Sequence, residues 1–251
     1  MTDTEAARLR AIAAMPDEDT PRLVFADYLD EKGEPAASAR AEFIRLQVRA
    51  VRFAHDDPER AAVLQRTDEL LAAWDVAWQQ EVPTGFQALS GYHRGFACRA
   101  AALASAVVGV DDDPRALFVR QLELNVDASA ARLREAVRQP LFAQIEELNV
   151  RGAPPMGWSG AKAFSEGEYP NLERLSLAGQ ALGDIGLRYL CNSWGLSRLR
   201  ELDLSNNGIT DDGAGTLLRS GLLHRLQRLT LWGNDIGHAT TERLRANGRV
   251  W

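Results

Sequence analysis

A fixed-period self-similarity constrains this chain more than any other feature. The pattern Leu-x-x-Leu-x-Leu appears as Leu172-Leu175-Leu177, Leu199-Leu202-Leu204 and Leu226-Leu229-Leu231, with a constant period of about 27 residues between starts. Looser copies precede them: Ile145-Leu148-Val150 begins one full period before Leu172, and Val119-Leu122-Leu124 begins one period less a single residue before that. The Leu-x-Leu pair alternates with the strand period of two, so both leucines point one way and the residues around them point the other. One such strand cannot bury its apolar side alone. Stacking successive copies buries a continuous column, each copy leaning on its neighbours.

After each strand the pattern turns helical. Thr210 or Asp211 is placed to cap a helix running to Leu217 and Leu218, and Asp184 to cap one from Gly186 to Cys191. At the eighth residue after each repeat start stand Asp127, Ala153, Gln180, Asn207 and Asn234. A polar side chain there satisfies backbone groups left unpaired where the chain turns. Ala153 cannot, and with Gly152, Pro154 and Pro155 beside it a distorted loop is expected. A strand plus a helix in about 27 residues resembles the ribonuclease-inhibitor-like class of leucine-rich repeats. That resemblance covers roughly residues 116–246 and implies an α/β solenoid, with parallel strands lining the inner wall of a horseshoe and helices its outer wall.

Stacking also lines up the outward positions in columns. The first reads Gln121, Glu147, Arg174, Glu201, Arg228; the second Glu123, Asn149, Ser176, Asp203, Thr230; the third Asn125, Arg151, Ala178, Ser205, Trp232. Alternating charges in the first column are explained either by pairing across neighbouring strands, at roughly 0.2–1 kcal/mol per pair, or by a charged partner. The small polar second column leaves room for a partner. Trp232 is either a contact residue, as tryptophan often is in interfaces, or folds over Gly233 and the C-terminal residues to cover the last leucines. The expected partner-binding residues are Glu123, Asn149, Arg151, Arg174, Ser176, Glu201, Asp203, Arg228, Thr230 and Trp232.

Residues 1–82 read as helices forming an all-helical N-terminal cap domain. The first runs near Glu5 to Ala14. Thr20 and Pro21 form a cap and first-turn pair for the second, Gly33 closes it, and Val24 with Tyr28 and Phe25 with Leu29 form its buried face. A third carries Phe43, Ile44 and Leu46; a fourth begins near Pro58 and brings Leu70, Trp74 and Trp78 to one side. The stretches Pro21-Arg22-Leu23-Val24-Phe25-Ala26-Asp27-Tyr28-Leu29-Asp30-Glu31-Lys32-Gly33 and Arg40-Ala41-Glu42-Phe43-Ile44-Arg45-Leu46-Gln47 resemble the bacterial repeat-companion domain, with Ala36 to Ala39 in the joining loop. The resemblance covers about residues 7–50 and implies an association with repeats and no catalytic residue. Residues 83–115, with His93-Arg94-Gly95-Phe96 and an Ala-rich stretch to Val110, are expected to supply a strand and helix as an irregular capping turn of the solenoid, ahead of repeats spanning 116–251.

Composition narrows the function. A net charge of −6 argues against a general affinity for nucleic acid or an anionic membrane, because that binding neutralises phosphates. The charge is uneven: residues 1–35 hold nine acidic against four basic side chains, and residues 219–251 six arginines against two acids. No apolar run approaches the roughly 20 residues of a membrane span, and two cysteines, Cys98 and Cys191, are too few for a disulfide scaffold. Both are expected to be reduced and buried, in a cytoplasmic protein.

Four histidines, His55, His93, His224 and His238, show no metal-ligand spacing. Asp17-Glu18-Asp19 and Asp111 to Asp113 lack the loop spacing of a calcium site, and Asp111-Asp112-Asp113-Pro114 reads as a turn and helix start. No nucleophile elbow surrounds Ser90-Gly91 and no phosphate loop appears. The expectation is a non-catalytic protein–protein interaction module with no metal or cofactor, binding a partner protein through the concave face; the alternative is a regulator that occludes a partner enzyme's active site. A monomer is expected. Because an open stack exposes its last leucines, either Val250 and Trp251 fold back over them or the C-terminal edge self-associates.

Overall fold

The computed structural model describes residues 1–246 apart from 55, 80, 81, 90, 111 and 128. The chain divides into two compact units, residues 1–100 with 112–119, and residues 101–111 with 120–251. The stretch 83–115 is therefore shared between them.

The first unit opens with α1 (Asp3–Ala14), α2 (Thr20–Glu31), α3 (Pro35–Ala50) and α4 (Pro58–Trp78). Beyond these helices, past residue 82, the unit also carries strands. Strands β2 (Tyr92–His93) and β3 (Phe96–Ala97) form an antiparallel hairpin that seats on α3, following a short β1 (Phe86–Ala88). Gly95, at the hairpin turn with φ +91°, explains the seating: a Cβ there would lie 2.7 Å from Ile44 Cγ1 and 2.9 Å from Ile44 Cα. Its N–H instead donates to Gln47 Oε1 at 2.8 Å. Phe96 joins Phe25, Leu29, Ile44 and Ile12 in one apolar core, while Phe43, Leu70 and Trp78 form a second.

Ion pairs knit the helices together. Arg45 of α3 bridges Asp27 (2.6 Å) and Asp30 (2.7 Å) of α2, and Arg66 of α4 holds Glu42. The buried Arg40 lies over Trp78, Tyr92 and Phe43 at 4.9, 5.1 and 5.2 Å from their ring centres, so aromatic faces take the place of solvent around its charge. Several details depart from expectation. Val24 stands 50% exposed, because α2 buries the stripe Arg22, Phe25, Ala26 and Leu29, and Val24 falls outside it. The cap of α2 is Asp19 rather than Thr20. Ala36 to Ala39 lie inside α3, which starts at Pro35, rather than in a loop.

In the second unit the strands follow chain order: β4 (Arg99–Leu103), β5 (Gln121–Val126), β6 (Glu147–Gly152), β7 (Arg174–Ser176), β8 (Glu201–Asp203) and β9 (Arg228–Thr230). From β5 to β9 every pairing is parallel. Between them run α5 (Ala104–Val107), α6 (Ala130–Ala136), α7 (Gly157–Ser165), α8 (Gly183–Cys191), α9 (Asp211–Leu218) and α10 (Gly221–Arg225), with α11 (His238–Arg245) last. The core is the stacked aliphatic column. Leu122, Leu148, Leu175, Leu202 and Leu229 pair strand to strand and are all buried, as are Leu177, Leu204 and Leu231.

Two hydrogen-bonded ladders fix the spacing of the turns. In the first, the eighth-position side chain serves the preceding turn. Asn207 Oδ1 accepts from Gln180 N (3.1 Å) and Leu182 N (3.3 Å), and its Nδ2 donates to Leu177 O and Ser205 O. Asn234 does the same for Asn207 N and Ile209 N, both at 3.0 Å. Asp127 accepts from Ser105 of α5, so β4 and α5 make the turn ahead of β5. Burial alone would raise the Asp127 carboxyl, but these bonds outweigh it and hold it below its ordinary value. Ala153, at a cis peptide with Pro154, interrupts this ladder.

The second ladder runs the other way. Asp184 does not cap its own helix, whose cap residue is Leu182; its carboxylate accepts from Thr210 N (2.9 Å) and Oγ1 (2.7 Å) in the next turn. Asp211, at the same place one repeat later, accepts from Gly237 N at 3.0 Å. Thr210 caps α9 as expected.

Cys98 and Cys191 are half-buried rather than buried, and burial pushes the Cys191 thiol up to about 11. Val250 and Trp251 lie outside the described residues. The first ladder can be tested by removing its side chains. Asn207→Ala strips the acceptor from two buried N–H groups, at roughly 1–3 kcal/mol each, and should cost about 3 kcal/mol in chemical denaturation. Asn234→Ala, whose bonds are less buried, should cost less; the reverse order would contradict the ladder's role.

Candidate functional site

The strand register decides which side chains share a face. Gln121, Glu147, Arg174, Glu201 and Arg228 are consecutive partners, and so are Glu123, Asn149, Ser176, Asp203 and Thr230. Each outward row thus runs across the strands at the parallel-sheet spacing of about 4.8 Å, while the leucines between them point inward. Along the face from β6 to β9 lies a shallow groove of about 270 Å³, bordered by the Glu147, Asn149, Arg174, Ser176, Glu201 and Asp203 side chains among others.

The electrostatics of the face are largely internal. Glu147 pairs with Arg174 at 3.0 Å and Glu201 with Arg228 at 3.2 Å, both half-exposed. Arg151 lies 3.6 Å from Glu123, and with the Asn149 amide oriented to present its oxygen the same guanidinium bonds it at 3.2 and 3.3 Å. Asp203 Oδ1 accepts from Ser205 N (2.9 Å) and Oγ (2.6 Å). The charged members of the expected set therefore lean on one another or on a neighbour, and the Ser176, Thr230 and Trp232 side chains are left facing outward beside them.

The third row does not stay together as expected. Arg151 is exposed, but Ser205 is buried, turned under by its bond to Asp203. Trp232 is 73% exposed, so among the described residues it stands on the surface rather than sealing the last leucines, which are themselves buried.

The outer surface holds apolar residues that sequence reasoning passed over. Trp194, in the turn after α8, is 94% exposed; Trp158 of α7 and Ile185 of α8 are about half exposed. The signal was available for two of them, since Trp158 and Ile185 occupy the same place in successive copies, one repeat apart. A helix facing solvent rarely repeats a large apolar residue at one outward position.

The arginines around His93 and Arg94 are tied into structure. Arg94 donates to Asp17 O at 2.7 Å and sits 3.6 Å from Asp19, while the buried Arg22 donates to Pro16 O at 2.8 Å. The run Asp17-Glu18-Asp19 is therefore a docking point for arginines of its own unit, Arg52 included at 2.7 Å. Among the described residues, no group of three or more His, Cys, Asp or Glu side chains is placed to hold a metal ion, and no helix is long and apolar enough to cross a membrane. His55, Ser90 and Asp111 lie outside the described residues.

The repeated element also has known relatives. Residues 197–218, from the turn before β8 through α9, match the leucine-rich-repeat family. That segment of the second unit is a leucine-rich repeat. Among solved structures, the chain resembles the yeast Rad7–Elc1 complex at 18% identity and a TM-score of 0.39, over 58% of this chain and 37% of that one. It thus spans well under half of that neighbour's length. No curated protein matches the sequence.

Self-pairing in the first row should be weak. A double-mutant cycle of Glu147→Gln and Arg174→Gln should give a coupling below about 1 kcal/mol that fades in high salt. A coupling several times larger would mean that the row is a structural strut rather than an adaptable surface.

Proposed function

We propose that the protein is a non-catalytic, cytoplasmic interaction module that holds a partner protein on the outward face of its repeat sheet. The observation that carries this reading is the row Asn149, Ser176, Asp203, Thr230 beside an exposed Trp232. The repeat geometry sets small polar side chains in register over four strands and ends them at an aromatic residue that is 73% exposed. Such a row is rigid, since each rung is fixed by a column of buried leucines, and a rigid face loses little entropy when a partner lies across it.

The paired charges of the first row also bear on affinity. Because Glu147 with Arg174 and Glu201 with Arg228 already compensate each other, a neutral or mixed-charge partner surface suits this face better than a strongly charged one. Nucleic acid, a uniform polyanion, is a poor match. The helical unit, which resembles the repeat-companion domain, serves in this reading as a cap or a second docking site, and the protein works as a monomer.

The test is affinity capture from the native cell with the chain and with a variant carrying Arg174→Ala, Asp203→Ala and Trp232→Ala, whose melting temperature is first shown to be close to that of the parent. A specific partner should be held by the parent at a fixed stoichiometry and lost from the variant. If every captured protein is retained equally by both, the sheet face is not the binding surface.

A further inference from the structure

An open groove of about 410 Å³ runs between α1 and α2 in the first unit and shares no lining residue with the repeat face. Its floor is almost wholly apolar. Ala11 and the closing residue Met15 come from α1, and Pro21 and Val24 from α2, so each helix contributes an apolar pair about one helical turn apart. Met15 and Val24 are each about half exposed. Large apolar residues scattered singly over a surface are ordinary, but these two belong to separate helices and meet in one trough.

Opposite charges stand at the two ends of this floor. Arg8 lies over the Tyr28 ring at 4.4 Å, which carries it from α1 across to α2, and its Nη1 reaches only the Thr4 carbonyl, at 3.4 Å. Glu18 is exposed in the turn that joins the helices. Among the described residues neither Arg8 nor Glu18 takes part in an ion pair. By contrast, Lys32, Arg45, Arg52 and Arg66 of the same unit all have carboxylate partners.

We propose that this groove docks an amphipathic helix of a partner protein, with apolar residues seated on Met15 and Val24, an acidic side chain beside Arg8 and a basic one beside Glu18. The charges at the two ends are complementary to such a helix and are not answered within the unit. The lining also chooses between a helical and an extended segment. Every lining residue belongs to α1, α2 or the turn between them, so no strand edge is there to pair with an extended backbone. An apolar floor would leave the N–H and C=O groups of an extended segment unsatisfied, whereas a helix bonds its own. Arg8 precedes Met15 by about two helical turns, or about 10 Å, so the charges of the docked helix belong at i and i+7 with apolar residues at i+3 and i+4 between them.

The probe is a fluorescein-labelled, alanine-rich helical peptide carrying glutamate, two leucines and lysine at those four positions, titrated with the full chain by fluorescence anisotropy. A Kd of about 100 µM or tighter is expected in low salt. Peptides with lysine at both ends, or glutamate at both ends, mismatch the groove in either orientation and should bind about threefold to fivefold more weakly. A proline in the central turn should abolish binding. Val24→Glu should lose the peptide, Glu18→Lys should shift the preference to the peptide with glutamate at both ends, and Arg174→Ala with Trp232→Ala on the sheet face should leave binding unchanged. No binding at about 1 mM, or equal binding of the proline peptide or by Val24→Glu, would overturn the proposal. So would sedimentation of the chain alone as a dimer that Val24→Glu dissociates, which would assign the groove to a second copy. The peptide comparisons decide the matter even if Val24→Glu fails to fold.

Discussion

Most turns of the second unit are completed by a side chain of a neighbouring turn, Ala153 being the break. Asn207 and Asn234 satisfy buried or part-buried N–H groups of the turn before them, and Asp184 and Asp211 accept from exposed N–H groups of the turn after. A buried N–H without a partner costs about as much as several methylenes contribute by burial, so the first ladder cannot be lost without loosening two turns at once. The leucine column supplies the cohesive energy, whereas the ladders set the spacing, and only a fixed spacing turns stacked strands into rows of outward side chains. The proposed binding face is a by-product of that requirement.

This dependence accounts for the character of the face. Its first row is self-compensated, its second is small and polar, and Asp203 is occupied by Ser205, so little of its charge is unanswered. Under the proposed function, a surface of this kind selects its partner by shape and by a few aromatic contacts rather than by long-range attraction. In the helical unit the charges hold the helices instead: Arg45 clamps α3 to α2, and Arg22, Arg52 and Arg94 converge on residues 16–19.

What was legible in the sequence followed from periodicity. The constant repeat spacing set the strand register through Leu148, Leu175, Leu202 and Leu229, and with it the rows of the face, because a period-two pattern leaves no freedom about which side is buried. Contacts between distant parts of the chain were not legible. That Asp184 serves the next turn rather than its own helix depends on where Thr210 arrives; that Val24 is exposed depends on which helices flank α2; that Gly95 must be glycine depends on Ile44, far away in sequence. Ser205 was expected to face outward by simple alternation, but the strand ends at Asp203, and beyond it the backbone no longer alternates.

The outward rows are in register across the strands, and disulfide trapping tests that register directly. In a background with Cys98→Ser and Cys191→Ser, the pair Ser176→Cys and Asp203→Cys places two Cα atoms about 4.8 Å apart, inside the range of roughly 4.4–6.8 Å over which disulfides form. Mild oxidation should therefore close this bond rapidly, and likewise for Asp203→Cys with Thr230→Cys, whereas Ser176→Cys with Leu202→Cys should not close because the two side chains point to opposite faces. Slow or absent closure of the in-register pairs, or efficient closure of the offset one, would mean that the rows are not aligned across the strands.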